Sequence, residues 1–421
     1  MKETTYSSSN TPLDYERPPM VEEDTSKGHD LHTFIYSLSR MFERAGYYGI
    51  RGMVVLYMIS STMDMSEGDA ISVYGYFTMF VMLAKVLGAV LGDLLLGNRG
   101  ALIIGGVLQA LGAFVLVIPS WGALYAGMVL IVIGGGLYSP NLLASFGKLY
   151  LNKKHLLDAG FGIIYTAVNI GAFVGVVILS LISEKLSYPI GFATGGVLLL
   201  AAALLPLFVR NKSSIRNVQF NMPLSNRILK IALACLVVGV FWGIYELSYY
   251  DSFEGMQQLS ASLGLPDSLA SSFSTFLLLP LLIVAVVVWS VYRQGHFMKL
   301  FIGAVSGALG LGLIYLISGS ISSDDSFIVM LSVFFFTVAE IHIAPVAHSI
   351  LTRYANPKYL AMVLSLLLVS SSIAYRVVSY LAGFSVYQRP SMGSYIGMIT
   401  MLVVSVGLLV YLLTMNRRQD I

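Results

Sequence analysis

The chain has 421 residues, of which 57% are hydrophobic and only 11% charged, with a formal net charge of +3. That is less than half of the roughly 25% charge of a typical soluble domain, and with a mean hydropathy of +0.79 it excludes water as the main solvent. The single cysteine, Cys235, lies in an apolar stretch, so an intrachain disulfide is excluded and the residue reads as packing.

Residues 1–30 are polar, hold Pro12, Pro18, Pro19 and the acidic run Glu22-Glu23-Asp24, and lack an apolar core with a small-residue cleavage site. A mobile cytoplasmic tail is expected there, not a signal peptide. Apolar runs bounded by turn and charge signals then predict helices over 31–61, 69–96, 101–119, 122–150, 157–183 and 188–209. Each is long enough to cross a hydrocarbon layer of about 30 Å. A basic polar linker over 210–226, with Arg210, Lys212 and Arg216, divides the chain, and further helices are predicted over 227–251, 267–292, 297–319, 326–353, 358–385 and 392–415. The expected fold is an all-α membrane protein of twelve transmembrane helices in two six-helix bundles, 31–209 and 227–415, with a second cytoplasmic tail over 416–421.

The Lys and Arg residues orient these spans. With the N-terminus inside, the cytoplasmic segments collect Arg99, Lys148, Lys153, Lys154, the linker cations, Arg227, Lys230, Arg293, Lys299, Arg353, Lys358, Arg417 and Arg418, whereas the outside loops hold only Lys185 and Arg389. By the positive-inside rule both termini are cytoplasmic, and the expected site is the plasma membrane, the inner one in a Gram-negative cell. The halves also echo each other. Ser139-Pro140-Asn141 in the fourth predicted helix precedes Lys148, and Ala344-Pro345-Val346 in the tenth precedes Arg353 at the same interval. Parallel halves of this kind build transporters whose substrate site lies near the midplane.

Ionisable residues at the bilayer centre cost several kcal/mol, on the order of 2.5–3.5 by insertion scales, and normally face a wet space or one another. The first helix carries Arg40, Glu43, Arg44 and Arg51, the second Lys85, the seventh Glu246, the tenth Glu340 with His342 and His348, and the eleventh Arg376. At about 100° per residue, Arg40, Glu43, Arg44, Tyr47, Tyr48 and Arg51 share one face within about 140°, spread over roughly 16 Å of axis. For Arg40 and Lys85 the alternative is a long side chain reaching the headgroups. Tyr47, Tyr48 and Trp242 read either as site walls or as helix packing. The histidines lack a ligand set, and no phosphate loop, nucleophile elbow or zinc pattern occurs. No metal, no cofactor, no nucleic acid and no enzyme activity are expected. Gly171 and Gly175, and Gly134 to Gly136, stand at the small-residue spacing of closely packed helices.

The run Glu43-Arg44-Ala45-Gly46-Tyr47-Tyr48-Gly49 with Arg51 resembles the first-helix signature of the proton-coupled oligopeptide transporters of the major facilitator superfamily, Glu-x-x-Glu-Arg-Phe-x-Tyr-Tyr-Gly. Four further segments agree in order. Gly92-Asp93-Leu94 to Gly97-Asn98-Arg99 is similar to the family's turn after the second helix. Tyr165 with Asn169-Ile170-Gly171 is similar to Tyr-x-x-x-Asn-x-Gly, Phe241-Trp242 with Glu246 to Phe-Trp-x-x-x-Glu, and Glu340 with Ala344-Pro345 to Glu-x-x-x-Ser-Pro. The resemblance implies a peptide site lined by Arg44, Tyr47, Tyr48, Arg51, Tyr165, Asn169, Trp242 and Glu246. It also implies proton coupling and gating by Glu43, Arg44, Arg51, Glu246 and Glu340, with Arg51 facing Glu246 at the outer mouth.

Departures from the pattern mark a divergent member. Arg40 replaces the first Glu, Ser139 the fourth-helix Lys and Met82 a Tyr; Lys85 and Arg376 are additional. The leading expectation is proton-coupled uptake of di- or tripeptides, or related small zwitterions, by a monomer. The alternatives are a carrier or exporter of anionic or other small molecules with altered or lost coupling, and a non-transporting receptor or scaffold.

Overall fold

No water is available inside a hydrocarbon layer to bond the backbone, so an apolar segment there satisfies its amides and carbonyls internally, as a helix. The computed structural model follows this rule in its described residues. It describes residues 28–209, 222–248, 255–257, 260–261, 264, 273–292, 294–317, 325–382 and 391–419. Within these it describes the side chains at all positions except 246, 247, 273–275, 375, 378, 379, 381, 382, 391 and 415–419. The expected N-terminal tail (through residue 27) and most of the linker (210–221) lie outside the described residues.

Twelve long helices occur among the described residues. They are α1 (Leu31–Ile59), α2 (Glu67–Leu91), α3 (Asn98–Val115), α4 (Trp121–Lys148), α5 (Leu157–Lys185), α6 (Tyr188–Leu204), α7 (Leu224–Leu247), α8 (Phe273–Val291), α9 (His296–Ile317), α10 (Ser326–Tyr354), α11 (Leu360–Ala382) and α12 (Ser391–Gln419). Among the described residues, ten segments are long and apolar enough to cross a membrane. Of the other two helices, α1 carries the charged face and the described apolar part of α8 is short, Phe276–Val291. Ser66, Ser120 and Ser187 cap α2, α4 and α6 by accepting from a backbone N–H of the first turn.

The packing repeats. α1 lies on α5 and α6, α3 on α4 and α6, and α2 on α4; likewise α7 lies on α11 and α12, α9 on α10 and α12, and α8 on α10. Each pair of the second set is a pair of the first advanced by six helices. The two sets meet where α5 touches α8 and α10 and where α11 touches α2 and α4.

Glycines bring α1 and α5 together. A Cβ on Gly49 would lie 2.8 Å from the Gly175 carbonyl oxygen, and one on Gly171 3.1 Å from Cβ of Arg44. The small-residue spacing of Gly171 and Gly175 thus lets the charged face of α1 sit against its neighbour without a gap. Gly175→Ala is expected to destabilise the folded protein by about 1–3 kcal/mol, the cost of forcing a methyl into a filled contact. Thermal unfolding of the purified variant in detergent checks this as a lowered Tm.

At one end of the bundle, α2 continues as a short π-helical turn over Gly92–Leu96. Gly97 then takes φ 71°, a left-handed conformation that glycine adopts without strain. Asn141, fully buried beside Pro140, donates to the Gly88 and Leu137 carbonyls at 2.8 and 2.7 Å and accepts from Asn98 at 2.8 Å. This ties α2, α3 and α4. Asp93 accepts from Asn98 and also from the backbone N–H of Met362, both at 2.8 Å. Arg99 meanwhile donates to the Leu207 carbonyl at 3.1 Å. Asp93 and Arg99 brace the turn, and Asp93 additionally fastens it to the first turn of α11 in the other half, where free helix amides favour an anion.

Candidate functional site

Helix α1 turns its charged face inward, and the charges find partners within one turn. Arg40, Glu43 and Arg44 are 8%, 0% and 5% exposed. Arg44 grips Glu43 with two bonds, Nε to Oε2 at 2.6 Å and Nη2 to Oε1 at 2.5 Å. Arg40 adds Nη1 to Oε2 at 3.1 Å. Both guanidinium groups also donate to the Ser139 hydroxyl of α4, at 2.9 Å from Arg40 and 3.2 Å from Arg44. A buried carboxylate with two cations and a bidentate fork is the geometry in which desolvated charge is best compensated. The guanidinium of Arg40 therefore stands beside the position where the family pattern has a lysine on the fourth helix.

Aromatic rings extend the cluster along α1. The Arg44 guanidinium lies 5.0 Å from the centre of Tyr47 and 5.3 Å from that of Tyr48. Tyr47 is buried against Phe77, with ring centres 6.5 Å apart, and Tyr48 stays half-buried. Arg51, about two turns beyond Arg44, bonds the Tyr74 hydroxyl of α2 at 2.5 Å and lies over the rings of Tyr48 and Tyr74. Sequence reasoning missed Tyr74, since nothing in a lone tyrosine on α2 tells that α1 passes beside it. The side chain of Glu246, expected opposite Arg51, lies outside the described residues.

In the second half, Glu340 of α10 accepts from the Tyr165 hydroxyl of α5 at 2.6 Å, a bond between the two sets of helices. Asn169 donates to the Tyr165 carbonyl at 3.0 Å, so it sits one turn along the same face. Trp242 packs edge-on against Phe241 and Tyr245. His342 and His348 place Nδ1 2.8 Å from the carbonyls of Val338 and Ala344, so Nδ1 carries a proton in each. His342 lies edge-on to Trp289, and His348 stacks on Phe161 of the first half at 5.7 Å.

The divergent positions fall in different places. Met82 is 51% exposed, with its sulfur 3.8 Å from the Ser372 hydroxyl. Arg376 is exposed on α11. Lys85 is half-buried on α2 and has no hydrogen bond or ion pair among the described residues.

A second charged cluster joins the halves near the basic end. Asp158, in the first turn of α5, accepts from Lys299 Nζ of α9 and lies 2.8 Å from Nδ1 of His296. Asp158 and Lys299 are 4% and 2% exposed, and the Lys299 ammonium also stands 4.6 Å over the Trp289 ring. Close by, Arg353 donates to the Lys154 carbonyl at 2.6 Å, and Gly147 packs on Thr352. Sequence reasoning missed Asp158 and His296 and counted Lys299 only as an orienting charge. The available signal was an acidic residue in the first turn of α5, where a carboxylate is ordinarily explained by the helix N-terminus alone.

Comparison with known proteins gives concordant likenesses of three kinds, to a family, to curated relatives and to a solved structure. The model of the Major Facilitator Superfamily matches residues 36–378. Dipeptide and tripeptide permease B of Photorhabdus luminescens is 28% identical over 218 residues, 51% of this chain and 44% of that protein. Dipeptide and tripeptide permease A of Escherichia coli is 32% identical over 169 residues, 39% of this chain and 33% of that protein. The aligned part therefore spans less than half the length of these curated relatives. A crystal structure of a peptide transporter POT in complex with sulfate superposes with a TM-score of 0.64, covering 94% of this chain and 97% of that one at 21% identity. That likeness is one of fold.

Proposed function

The chain belongs to the Major Facilitator Superfamily, and from that premise we propose that it is a secondary active transporter taking up di- or tripeptides, or related small zwitterions, together with protons by alternating access. The observation that carries this reading is the Arg40–Glu43–Arg44 cluster, buried in α1, with Arg51 over the Tyr48 ring further along the same helix and the Tyr165–Glu340 bond joining the two sets of helices. Charge is kept inside a membrane protein at a cost, and it is kept where a polar solute or a proton passes.

The residues divide the work. Arg44 and Arg51 present guanidiniums to a substrate carboxylate, with Tyr47, Tyr48, Asn169 and Trp242 shaping the walls. Glu43 is saturated by two arginines, so its charge holds the cluster together. Glu340 has one described partner, a neutral phenol hydroxyl, and this less compensated carboxylate is the proton carrier in our reading, with Glu246 the second candidate. Protons enter from the outside with substrate, the halves close over them, and the end carrying Asp158 and Lys299 opens. This scheme has both termini in the cytoplasm, a monomer in the plasma membrane, and the two bundles 31–209 and 227–415 rocking about the site.

The test is uptake of a labelled dipeptide by proteoliposomes with and without an inward pH gradient. Gradient-stimulated uptake is expected. Glu340→Gln is expected to lower the driven component by about tenfold or more, equivalent to losing at least ~1.4 kcal/mol of coupling, while exchange against internal peptide persists. Driven uptake unchanged in that variant removes Glu340 from coupling. Absence of peptide uptake or exchange in the parent protein overturns the peptide reading.

A further inference from the structure

Arg51 and Tyr74 are bonded across α1 and α2, and this contact fixes the relative level of two antiparallel helices. Stepping eleven residues from Arg51 toward the basic end of α1 reaches Arg40. The same eleven residues from Tyr74 along α2 reach Lys85. Both steps cover roughly 16 Å at about 1.5 Å per residue, so Lys85 stands at the depth of Arg40, Glu43 and Arg44. Its direction is set by its helix face. Lys85 follows Val81 by four residues and precedes Gly88 by three; Val81 and Gly88 are both buried, and Gly88 lies against Gly136 of α4. Met82, Leu83 and Leu87 carry the exposed face. The ammonium thus joins Arg40, Arg44 and Glu43 as an electrostatic neighbour.

At this level three cations meet one carboxylate. Both oxygens of Glu43 already accept from guanidinium groups, Oε1 from Arg44 and Oε2 from Arg44 and Arg40, so three of its roughly four acceptor positions are in use. The Ser139 oxygen already accepts from both guanidiniums. Lys85 is left with no hydrogen bond or ion pair among the described residues, and its charge still has to be compensated in a membrane interior. A simple zwitterion brings one carboxylate and one ammonium and leaves this excess unchanged.

We propose that Lys85 forms a second anion subsite beside the Arg40–Glu43–Arg44 cluster, so that the preferred substrate carries a carboxylate in addition to that of a simple zwitterion, as an acidic dipeptide does. The proposal rests on the transporter reading above and names the substrate class of that same site. Lys85 acts here as a specificity-determining residue. The site selects by charge complementarity, which discriminates between partners as well as attracting them.

The experiment is isothermal titration of the purified full chain in detergent with Ala-Ala, Ala-Glu and Ala-Lys, and separately with propionate and succinate. Ala-Glu is expected to bind about tenfold more tightly than Ala-Ala or Ala-Lys, a difference of ~1.4 kcal/mol. The preference should vanish in Lys85→Gln and survive in Lys85→Arg, which keeps the charge. Equal affinity for the three dipeptides overturns the subsite and leaves the peptide reading standing. Binding of succinate over propionate without binding of any dipeptide keeps the subsite and overturns the peptide reading. A preference that persists undiminished in Lys85→Gln, or binding of none of the five compounds, overturns the subsite.

Discussion

Glu43→Gln is expected to be among the most damaging single changes in the protein, destabilising it by about 3–5 kcal/mol, the cost of leaving a buried ion cluster without one of its partners. The carboxylate is wholly buried and accepts three hydrogen bonds from two guanidiniums. A glutamine keeps one acceptor oxygen but turns an NH₂ group toward one of the arginines, so two cations at 8% and 5% exposure repel each other with no negative charge between them. The accessible measurement is the yield of monodisperse protein after size exclusion together with its Tm. Glu43→Gln with Arg40→Gln, which removes one cation together with the anion, is expected to recover part of the loss. Additive losses in that double-mutant cycle would show that Arg40 and Glu43 are independent.

Asp158→Asn is expected to open the basic end of the bundle. Lys299, 2% exposed, would lose the one anion bonded to it among the described residues, and an ammonium stranded in that setting is relieved most directly by separating α5 from α9 and admitting water. Thr352 is buried against Gly147 between the halves, so a cysteine placed there, in a Cys235→Ser background, reports the opening. Labelling of Thr352→Cys by a membrane-impermeant maleimide is expected to rise about tenfold in Asp158→Asn, a population shift of ~1.4 kcal/mol. Adding Lys299→Met removes the stranded charge and should bring labelling back down. Labelling that stays low in Asp158→Asn would mean that apolar packing alone holds this end closed.

The two clusters differ in how far they could be read in advance. Arg40, Glu43, Arg44 and Arg51 announce themselves because their spacing puts four charges on one face of a helix that must cross lipid, and such a face needs a polar neighbour. The identity of that neighbour was hidden. Ser139 reads in the sequence as a missing lysine, yet only the packing of α1 against α4 places both guanidiniums on its hydroxyl. Tyr74 gave no signal at all, because a tyrosine in an apolar helix is ordinarily packing. Asp158 and Lys299 were hidden for a related reason. Each has an adequate local explanation, the helix start for one and the orienting charge rule for the other, and their pairing requires α5 and α9 to meet across 141 positions of sequence.

The sequence by itself determined that this chain lives in a bilayer and where its helices run, because in lipid each span satisfies its backbone within its own residues and its apolar length is a local quantity. It also determined which charges could not be left facing lipid. Only the tertiary structure decided which charges meet. That depends on the depth at which one helix passes another, and the depth is set by contacts such as Gly49 on Gly175 and Gly88 on Gly136. A glycine shows that two helices approach closely, but which partner lies opposite it, and at what level, follows from the packing of the whole bundle.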